Sequence, residues 1–228
     1  MKLIKNKFKY PDLQRVENEL GRFYLDSKGQ EVPSVTNVLS STSDQSGIDE
    51  WKRRVGHEEA ERILHESSSI GSNVHNALEN YLQDKEWEIV NDGSYISKTS
   101  ILILKTFINN LVNDIDEVWG LESGLILDGL YAGTADCIGV YNGKESLIDF
   151  KTAKKLKPKE WIEDYFLQCA AYANAHNVMY DTKIEQIVIL MVDRNQEYKK
   201  FIVNNREFDH YTNKWKQRLI KFHNEVFK

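Results

Sequence analysis

Two aspartates and a lysine lie near a turn signal in the stretch GTADCIGVYNGKESLIDFKT, residues 133–152. The dipeptide Asn142-Gly143 is typical of a two-residue hairpin turn, and strand-forming residues flank it on both sides. A hairpin with that turn places Asp136 opposite Asp149. Directly opposed β-carbons lie roughly 4.5–5.5 Å apart, so two like charges there destabilise the pair. A divalent cation bound to both carboxylates would offset this repulsion, because hard cations prefer carboxylate oxygens.

The same strand carries a lysine on the face of its aspartate. Side chains alternate along a strand, so Asp149 and Lys151 share one face while Phe150 points to the other. The predicted register also places Thr134 opposite Lys151. An Asp-x-Lys pattern on an exposed strand is usually a solvated ion pair. The apolar flanks of SLIDFKT favour a buried pair instead, and burying a charged pair is costly without a purpose.

Two carboxylates and an ammonium on one rigid platform suit metal-dependent hydrolysis of a phosphodiester. One or two Mg²⁺ ions bound by Asp136 and Asp149 would polarise a phosphoryl oxygen and lower the pKa of a bound water. Lys151 would orient the resulting hydroxide and offset negative charge in the transition state. These residues therefore predict a metal site with a nearby lysine.

Two helical segments add polar candidates. In GSNVHNALE, residues 71–79, His75 and Glu79 lie one helical turn apart, so Glu79 could orient a metal-bound imidazole. A histidine in such a helix is also compatible with a surface or packing role. In LQCAAY, Gln168 and Tyr172 have the same spacing, and singly they are compatible with packing and capping.

A run of basic residues follows the aspartate–lysine strand. KTAKKLKPK, residues 151–159, includes Thr152, Lys154 and Lys155. Charge runs usually form solvated loops, but this one adjoins the predicted site and could bind phosphates of a nucleic acid. Trp51 and Tyr81 could stack on bases, and they fit a core role equally well.

Periodicity and turn signals predict the elements that position these residues. In chain order they are a hairpin within 22–35 turning at Ser27-Lys28-Gly29, a helix capped by Ser34 or Thr36 and ending at Leu39, a loop over 41–47, a helix over 48–66 broken near Gly56, a loop over 67–72, helices over 73–83 and about 97–113, strands over 116–127, 131–141 and 144–150, a helix over 160–180, strands over 186–193 and 198–203, and a helix over 206–227.

This order predicts an α/β or α+β fold in a single domain, with a mainly helical part over about 1–115 and a core over about 116–228. The apolar run QIVILMVD, residues 186–193, is typical of an inner strand covered on both faces. The chain has 228 residues with 41% hydrophobic and 29% charged side chains, which favours a folded core over disorder.

Composition excludes several other classes. The net charge of −5 argues against a protein that coats nucleic acid over its whole surface, although a local basic channel is compatible with it. Two cysteines, Cys137 and Cys169, are too few for a four-cysteine iron–sulfur or zinc site, and we expect buried thiols. No apolar run is long enough for a membrane span, and the N-terminal lysines lack the apolar region of a secretory signal.

The motifs together resemble a known family. Gly71-x-x-x-His75, Gly133-x-x-Asp136, Asp149-x-Lys151 and Gln168-x-x-x-Tyr172, in that order, resemble the signature of RecB-type nucleases in the PD-(D/E)xK superfamily. Over roughly residues 32–220 the resemblance is closest to the mitochondrial genome maintenance exonuclease group. The segments that carry it are PSVTNVLSST, the helix with Trp51-Lys52, LYAGTADCIGVYNG, IDFKTAKKLKPK, LQCAAYANAHN and KWKQRL.

The resemblance implies a PD-(D/E)xK core, a mixed central sheet flanked by helices, and specific residue roles. Asp136, Asp149, the carbonyl of Phe150 and His75 would bind Mg²⁺ or Mn²⁺, and Lys151 would be the catalytic lysine. Gln168 and Tyr172 would support the lysine and the substrate strand. The implied substrate is single-stranded DNA with free ends, threaded through an arch formed by helices over 48–83. No iron–sulfur cluster is expected.

Three interpretations follow from these residues. The first is a metal-dependent exonuclease that prefers single-stranded DNA. The second is a flap endonuclease of the same fold, and the third is a non-catalytic nucleic-acid-binding module. No Gly-x-x-x-x-Gly-Lys phosphate loop occurs, so we expect no ATP requirement, and no obligate protein partner is evident. We expect a cytoplasmic location in a bacterial or phage-infected cell, with the mitochondrial matrix as the alternative for a mature chain.

Overall fold

The computed structural model describes residues 2–4, 7–111 and 114–226. Its strands are β1 (Lys2–Leu3), β2 (Arg15–Asn18), β3 (Gly21–Leu25), β4 (Glu31–Pro33), β5 (Ile115–Leu127), β6 (Tyr131–Tyr141), β7 (Lys144–Ala153), β8 (Gln186–Asp193) and β9 (Tyr198–Asn204). Its α-helices are α1 (Val35–Thr42), α2 (Ser46–Val55), α3 (His57–Leu82), α4 (Tyr95–Leu111), α5 (Glu163–Tyr180) and α6 (Asn205–Glu225), with a 3₁₀ turn at Lys159–Trp161.

A mixed six-stranded sheet forms the centre of the molecule. Its strand order is β1-β5-β6-β7-β8-β9. Strands β5, β6 and β7 form an antiparallel meander, and α5 then crosses over so that β8 lies parallel to β7. Strand β1 pairs in parallel with β5, while β2, β3 and β4 form a separate small sheet. The predicted fold class, a mixed sheet flanked by helices, is confirmed.

The central sheet is covered on both faces. Every residue of β8 is buried, as its apolar run predicts. Ile187, Ile189 and Met191 belong to a core cluster that includes residues of α5 and α6. Val188, Leu190 and Val192 alternate with them and belong to a second cluster with α3 and α4. The period of two along the strand therefore separates the two cores.

The hairpin between β6 and β7 has the predicted turn. Both Asn142 and Gly143 have positive φ angles, of 48° and 74°, as a type I′ turn requires. The register from Tyr141–Lys144 to Cys137–Ile148 is the predicted one. Both cysteines are buried free thiols, as expected.

One predicted loop is wrong. Residues 67–72 lie inside α3, a continuous helix of 26 residues. The serines of this stretch suggested a loop, but Ile70 is buried in the cluster that α3 forms with α4. This packing outweighs the weak local preference of serine. The break predicted near Gly56 is confirmed, because Gly56 has a φ of 88° between α2 and α3.

Several element ends differ from the predictions by a few residues. Helix α1 is capped by Ser34, whose hydroxyl accepts a hydrogen bond from Asn37 N at 3.0 Å. It ends at Thr42 and α2 begins at Ser46, so the predicted loop 41–47 is shorter. Strand β7 continues to Ala153, and α5 begins at Glu163 after the 3₁₀ turn. The predicted helix ends at 113 and 227 lie outside the described residues.

The segment before β2 is fixed to the core. The Tyr10 hydroxyl lies 3.1 Å from Nε2 of the buried His176 on α5. The Phe8 ring packs against Trp119 and His176, with ring centroids 5.7 and 4.8 Å apart.

No helix among the described residues is long and apolar enough to cross a membrane.

Candidate active site

The ladder between β6 and β7 ends just before the predicted pair of aspartates. The last paired residues are Cys137 and Ile148, so neither the Asp136–Asp149 pair nor the Thr134–Lys151 pair forms in this ladder. Instead, Asp136 Oδ2 accepts a hydrogen bond from the backbone N–H of Phe150 at 2.9 Å. A side-chain carboxylate thus replaces a ladder bond and holds the two strands at the point where they separate. We call this point the fork.

Beside the fork, Asp149 and Lys151 form a buried ion pair. Lys151 Nζ donates a hydrogen bond to Asp149 Oδ1 at 2.7 Å and lies 2.7 Å from Oδ2. Asp149 is 2% exposed, and within the described part of the chain its buried Oδ2 has no partner with hydrogen-bond geometry. The common face predicted for the two residues is confirmed.

The pKa values of this pair reflect competing effects. Burial raises the pKa of Asp149 to about 6; the charge of Lys151 opposes the rise, and the nearby Asp136 adds to it. Burial alone would lower the pKa of Lys151. The charges of Asp149 and Asp136 outweigh this effect and raise the lysine pKa above its ordinary value. Lys151 is therefore cationic at neutral pH.

A second group of potential metal ligands lies on the α3 side of the fork. His75 Nδ1 lies 3.6 Å from Asp136 Oδ2 and 3.8 Å from Glu122 Oε1. One ligand atom from each of the three side chains lies within 4.8 Å of the other two. Burial lowers the pKa of His75, but the neighbouring Glu122 carboxylate and the charge of Asp136 outweigh this effect, so the net shift of the His75 pKa is upward.

Glu122 was not identified from the sequence. The pairs Leu121–Cys137 and Ser123–Ala135 flank it, so Glu122 lies across from Asp136 on the neighbouring strand. Its φ of 42° lies in the left-handed region, which is strained for a residue with a side chain. A charged glutamate within the largely apolar run VWGLESGLIL was the available signal. Only the β5–β6 register shows which residue it faces.

Helix α5 contributes the next layer of the site. Tyr172 is buried, which raises its pKa, while a hydrogen bond involving Gln168 lowers it less strongly. A β-carbon added at Gly133 would lie 2.7 Å from Tyr172 Oη, which is too close for any side chain. Gly133 therefore allows the ring of Tyr172 to approach β6. Tyr172 interacts electrostatically with Asp136, Lys151 and Asp149, and Gln168 reaches this group through Tyr172.

Other candidates are placed differently. Glu79 accepts a hydrogen bond from Gln83 at 2.8 Å, and its described contacts do not include His75. Glu122 instead occupies the position beside the imidazole. The Phe150 ring is buried in the α3–α4 cluster, and its backbone N–H binds Asp136.

The basic residues after β7 form part of a small pocket. Thr152 and Lys154 line a cavity of about 240 Å³ together with Lys157 and Arg194, whereas Lys155 is exposed outside it. Arg194 also forms a 2.5 Å ion pair with Glu66 of α3. The charge of Arg194 is thus neutralised, whereas Lys154 and Lys157 form no salt bridge among the described residues and leave positive charge in the pocket.

The donor set fits a divalent cation. Carboxylate oxygens suit Mg²⁺ and Mn²⁺, and an imidazole nitrogen suits transition metals, so one imidazole with two carboxylates is compatible with Mn²⁺ in particular. The buried Oδ2 of Asp149 has no partner with hydrogen-bond geometry among the described residues, although the Lys151 ammonium lies 2.7 Å away, so this oxygen is a further candidate ligand atom. The ion itself is not identified by these observations.

A mixed sheet flanked by helices that presents two aspartates, a lysine and a histidine is the arrangement that the PD-(D/E)xK resemblance implies. The chain is also similar in sequence to proteins named mitochondrial genome maintenance exonuclease 1. The human protein is 30% identical over 206 residues, which are 84% of this chain and 58% of the relative. Those of Xenopus tropicalis and Mus musculus are each 30% identical over 210 residues, with 84% of this chain and 57% and 59% of the relatives covered.

The resemblance to the mitochondrial genome maintenance exonuclease group is thus confirmed, and the names of the relatives support a nuclease activity. The chain spans less than two thirds of the length of each of these relatives. No protein-family model matches the chain. A crystal structure of a candidate exonuclease from Eubacterium rectale aligns with a TM-score of 0.46 at 14% identity, over 70% of this chain and 68% of that one.

Proposed function

We propose that this protein is a metal-dependent DNA exonuclease that acts on single strands with free ends. The observation that carries the proposal is the fork, where a buried Asp149–Lys151 pair lies beside the His75, Glu122 and Asp136 side chains. The similarity to named exonucleases supports the same class of reaction. The single-strand and end preferences come from the resemblance.

His75, Glu122 and Asp136 would hold the divalent cation, Mg²⁺ or Mn²⁺, with Asp149 and the Phe150 carbonyl as further ligands. When bound, such an ion supplies charge stabilisation at the phosphoryl oxygen and a bound water of lowered pKa. A site with an imidazole ligand favours Mn²⁺ over Mg²⁺. Glu122 extends the ligand set that the sequence predicted.

The chain's own groups have separate tasks. Lys151 is cationic and would donate hydrogen bonds to a phosphate oxygen that gains negative charge in the transition state. Asp149 orients Lys151 through the 2.7 Å hydrogen bond. Tyr172, packed against Gly133, limits the space behind the pair, and Gln168 supports it. Thr152, Lys154 and Lys155 would bind backbone phosphates of the strand.

Cleavage of an end-labelled single-stranded oligonucleotide tests the proposal, with a circular version of the same sequence alongside. We expect degradation of the linear strand with Mg²⁺ or Mn²⁺, an intact circle, and no reaction in EDTA. A cut circle would indicate an endonuclease instead. If neither substrate is cut with any metal, the fork belongs to a nucleic-acid-binding module without catalysis.

The names of the relatives also bear on the location of the protein. The relatives are named as mitochondrial proteins, which favours the mitochondrial alternative over the cytoplasmic one predicted first. The distribution of the tagged chain between mitochondrial and cytosolic fractions tests this part of the proposal.

A further inference from the structure

Trp161 is an exposed tryptophan at the end of the basic run that follows β7. Trp161 is 77% exposed, whereas Trp119 and Trp215 are 5% and 1% exposed. Trp51 and Trp87 are half-buried. In the part of the chain that the structure describes, the Trp161 indole forms no ring contact and no hydrogen bond. Burial in a core therefore does not account for this aromatic side chain.

The exposure of Trp161 is not a result of a loosely held segment. Upstream, the N–H of Leu156 donates to the buried Asp193 at 3.3 Å, and Arg194 N donates to Ala153 O at 3.1 Å. Downstream, Ile162 is 1% exposed. The segment is thus anchored on both sides of Trp161, and the indole projects from a fixed support.

Lys159 strengthens this support. It forms an ion pair with Glu207 of α6, so the 3₁₀ turn that carries Trp161 is connected to the closing helix. An aromatic ring on such a support needs little further ordering when it binds a ligand, which favours affinity.

The sequence just before Trp161 is rich in lysine, although the net charge of the chain is −5. Lys154, Lys155 and Lys157 precede it and form no salt bridge within the described residues. The acidic residues that follow are largely neutralised, because Glu163 pairs with Lys214 and Asp164 with Arg218 at 3.1 Å. Glu160 forms no salt bridge among the described residues, and the charge of Glu59 acts on Lys154.

Tyr165 connects this surface to the fork. Its ring centroid lies 5.1 Å from Lys151 Nζ and 5.7 Å from Lys157 Nζ. One ring therefore contacts the lysine of the candidate site and a lysine of the basic run. A nucleic-acid strand bound along Lys157 would therefore lie next to Lys151. Lys157 is four residues before Trp161 in the sequence.

We propose that Trp161 stacks on a nucleobase of the single strand while Lys154, Lys155 and Lys157 contact its phosphates. An exposed aromatic ring among lysines is the combination that binds single strands without sequence preference, because every base offers a flat face. This inference rests on the proposed function for the identity of the ligand, but it concerns binding and not bond cleavage. It predicts that base contacts extend beyond the reacting phosphate.

The test measures the binding of two labelled oligonucleotides by fluorescence anisotropy in EDTA, so that no metal-dependent cleavage occurs. One probe is oligothymidylate, and the other has the same length with abasic sites in place of bases. We expect Trp161→Ala to weaken binding of oligothymidylate by roughly 5- to 150-fold, the range of one base–aromatic stack. Binding of the abasic probe should not change, and Trp161→Phe should restore most of the affinity.

Val178→Ala is the matched control, because Val178 is 71% exposed on α5 and forms none of the contacts described above. It should leave both affinities unchanged. Equal affinities for wild type and Trp161→Ala would overturn the inference, and so would an equal loss on both probes, since a loss without bases is not stacking. Cleavage assays separate the two proposals: wild type that binds but never cleaves contradicts the proposed function alone.

Discussion

Lys151 differs from the other lysines near the site because its charge is buried and paired. The ammonium lies 2.7 Å from both carboxylate oxygens of Asp149, and the side chain is 17% exposed. A buried charge of this kind is costly unless it has a partner. The two residues therefore stabilise each other's charged form. Substitution of either residue changes the pKa of its partner.

We expect Lys151→Ala to reduce cleavage by roughly 100-fold or more, because it removes the donor to the charge that develops on the phosphate. DNA binding should remain close to wild type, since Lys154, Lys155 and Lys157 stay in place. Steady-state cleavage and anisotropy measure the two effects. Lys183→Ala is the control, because its side chain is 83% exposed beside β8. Cleavage near the wild-type rate by Lys151→Ala would contradict the site assignment.

The same substitution at Glu122 and at Glu79 tests which of the two glutamates contributes to metal binding. Glu122→Gln should weaken Mn²⁺ binding by roughly 10-fold or more, because one of three facing ligands loses its charge. Glu79→Gln should have little effect, because Glu79 contacts Gln83 and not His75. Isothermal titration with Mn²⁺ measures both affinities without turnover. The opposite order would return Glu79 to the role that the sequence suggested.

At the scale of elements, the β6–β7 hairpin and the inner strand β8 could be predicted because their signals are local. Asn142-Gly143 sets the turn, and the apolar run sets the burial. The fork could not be predicted, because it depends on a carboxylate of β6 replacing a ladder bond to Phe150. Glu122 required the β5–β6 register, and the continuity of α3 required the packing of Ile70 against α4.

Gly71 and Gly133 both belong to the motifs that carry the family resemblance, but only Gly133 is crowded by a neighbouring side chain. Substitution by alanine distinguishes the two positions. Gly133→Ala should destabilise the fold by about 1–3 kcal/mol, because the new β-carbon overlaps the buried Tyr172 ring. Gly71→Ala should be neutral or stabilise α3 by about 0.5–1 kcal/mol, because its nearest neighbour, Thr152 Oγ1, would be 3.6 Å away. Urea unfolding of both variants measures the difference. Equal losses would show that the two positions are equally crowded.

The whole molecule joins two cores at one site. Helix α3 packs on one face of the sheet and supplies His75, while α5 packs on the other and supplies Gln168 and Tyr172. Asp136, at the fork, lies 3.6 Å from His75 of one face and interacts electrostatically with Tyr172 of the other. The arrangement explains why the site residues are distributed from position 75 to position 172.

Stability of the whole molecule should depend on pH through His176. Burial lowers its pKa to about 4, and the charge of Lys7 adds to the shift. The unfolded chain binds a proton near pH 6.5 while the folded chain does not, so this contribution to stability is complete above 6.5. It is lost as the pH falls from 6.5 towards 4, with a slope of at most about 1.4 kcal/mol per pH unit.

Urea unfolding between pH 7 and pH 4.5 tests this dependence. His176→Gln should flatten the curve relative to wild type, because glutamine does not titrate. His57→Gln is the control, since the His57 side chain is 84% exposed, and its curve should follow the wild type. Parallel curves for wild type and His176→Gln would exclude His176 as the source.

The contacts of the first described residues have a consequence for the order of folding during synthesis. Strand β1 pairs with β5, more than 100 residues later, and Tyr10 meets His176, 166 residues away. During synthesis the N-terminal segment leaves the ribosome before β5 and His176 have been made. Its contacts therefore cannot all form until α5 is complete. The loop that it then closes is long, and contacts of such separation are typical of late, slow steps. We expect the sheet to assemble first and this segment to join it last.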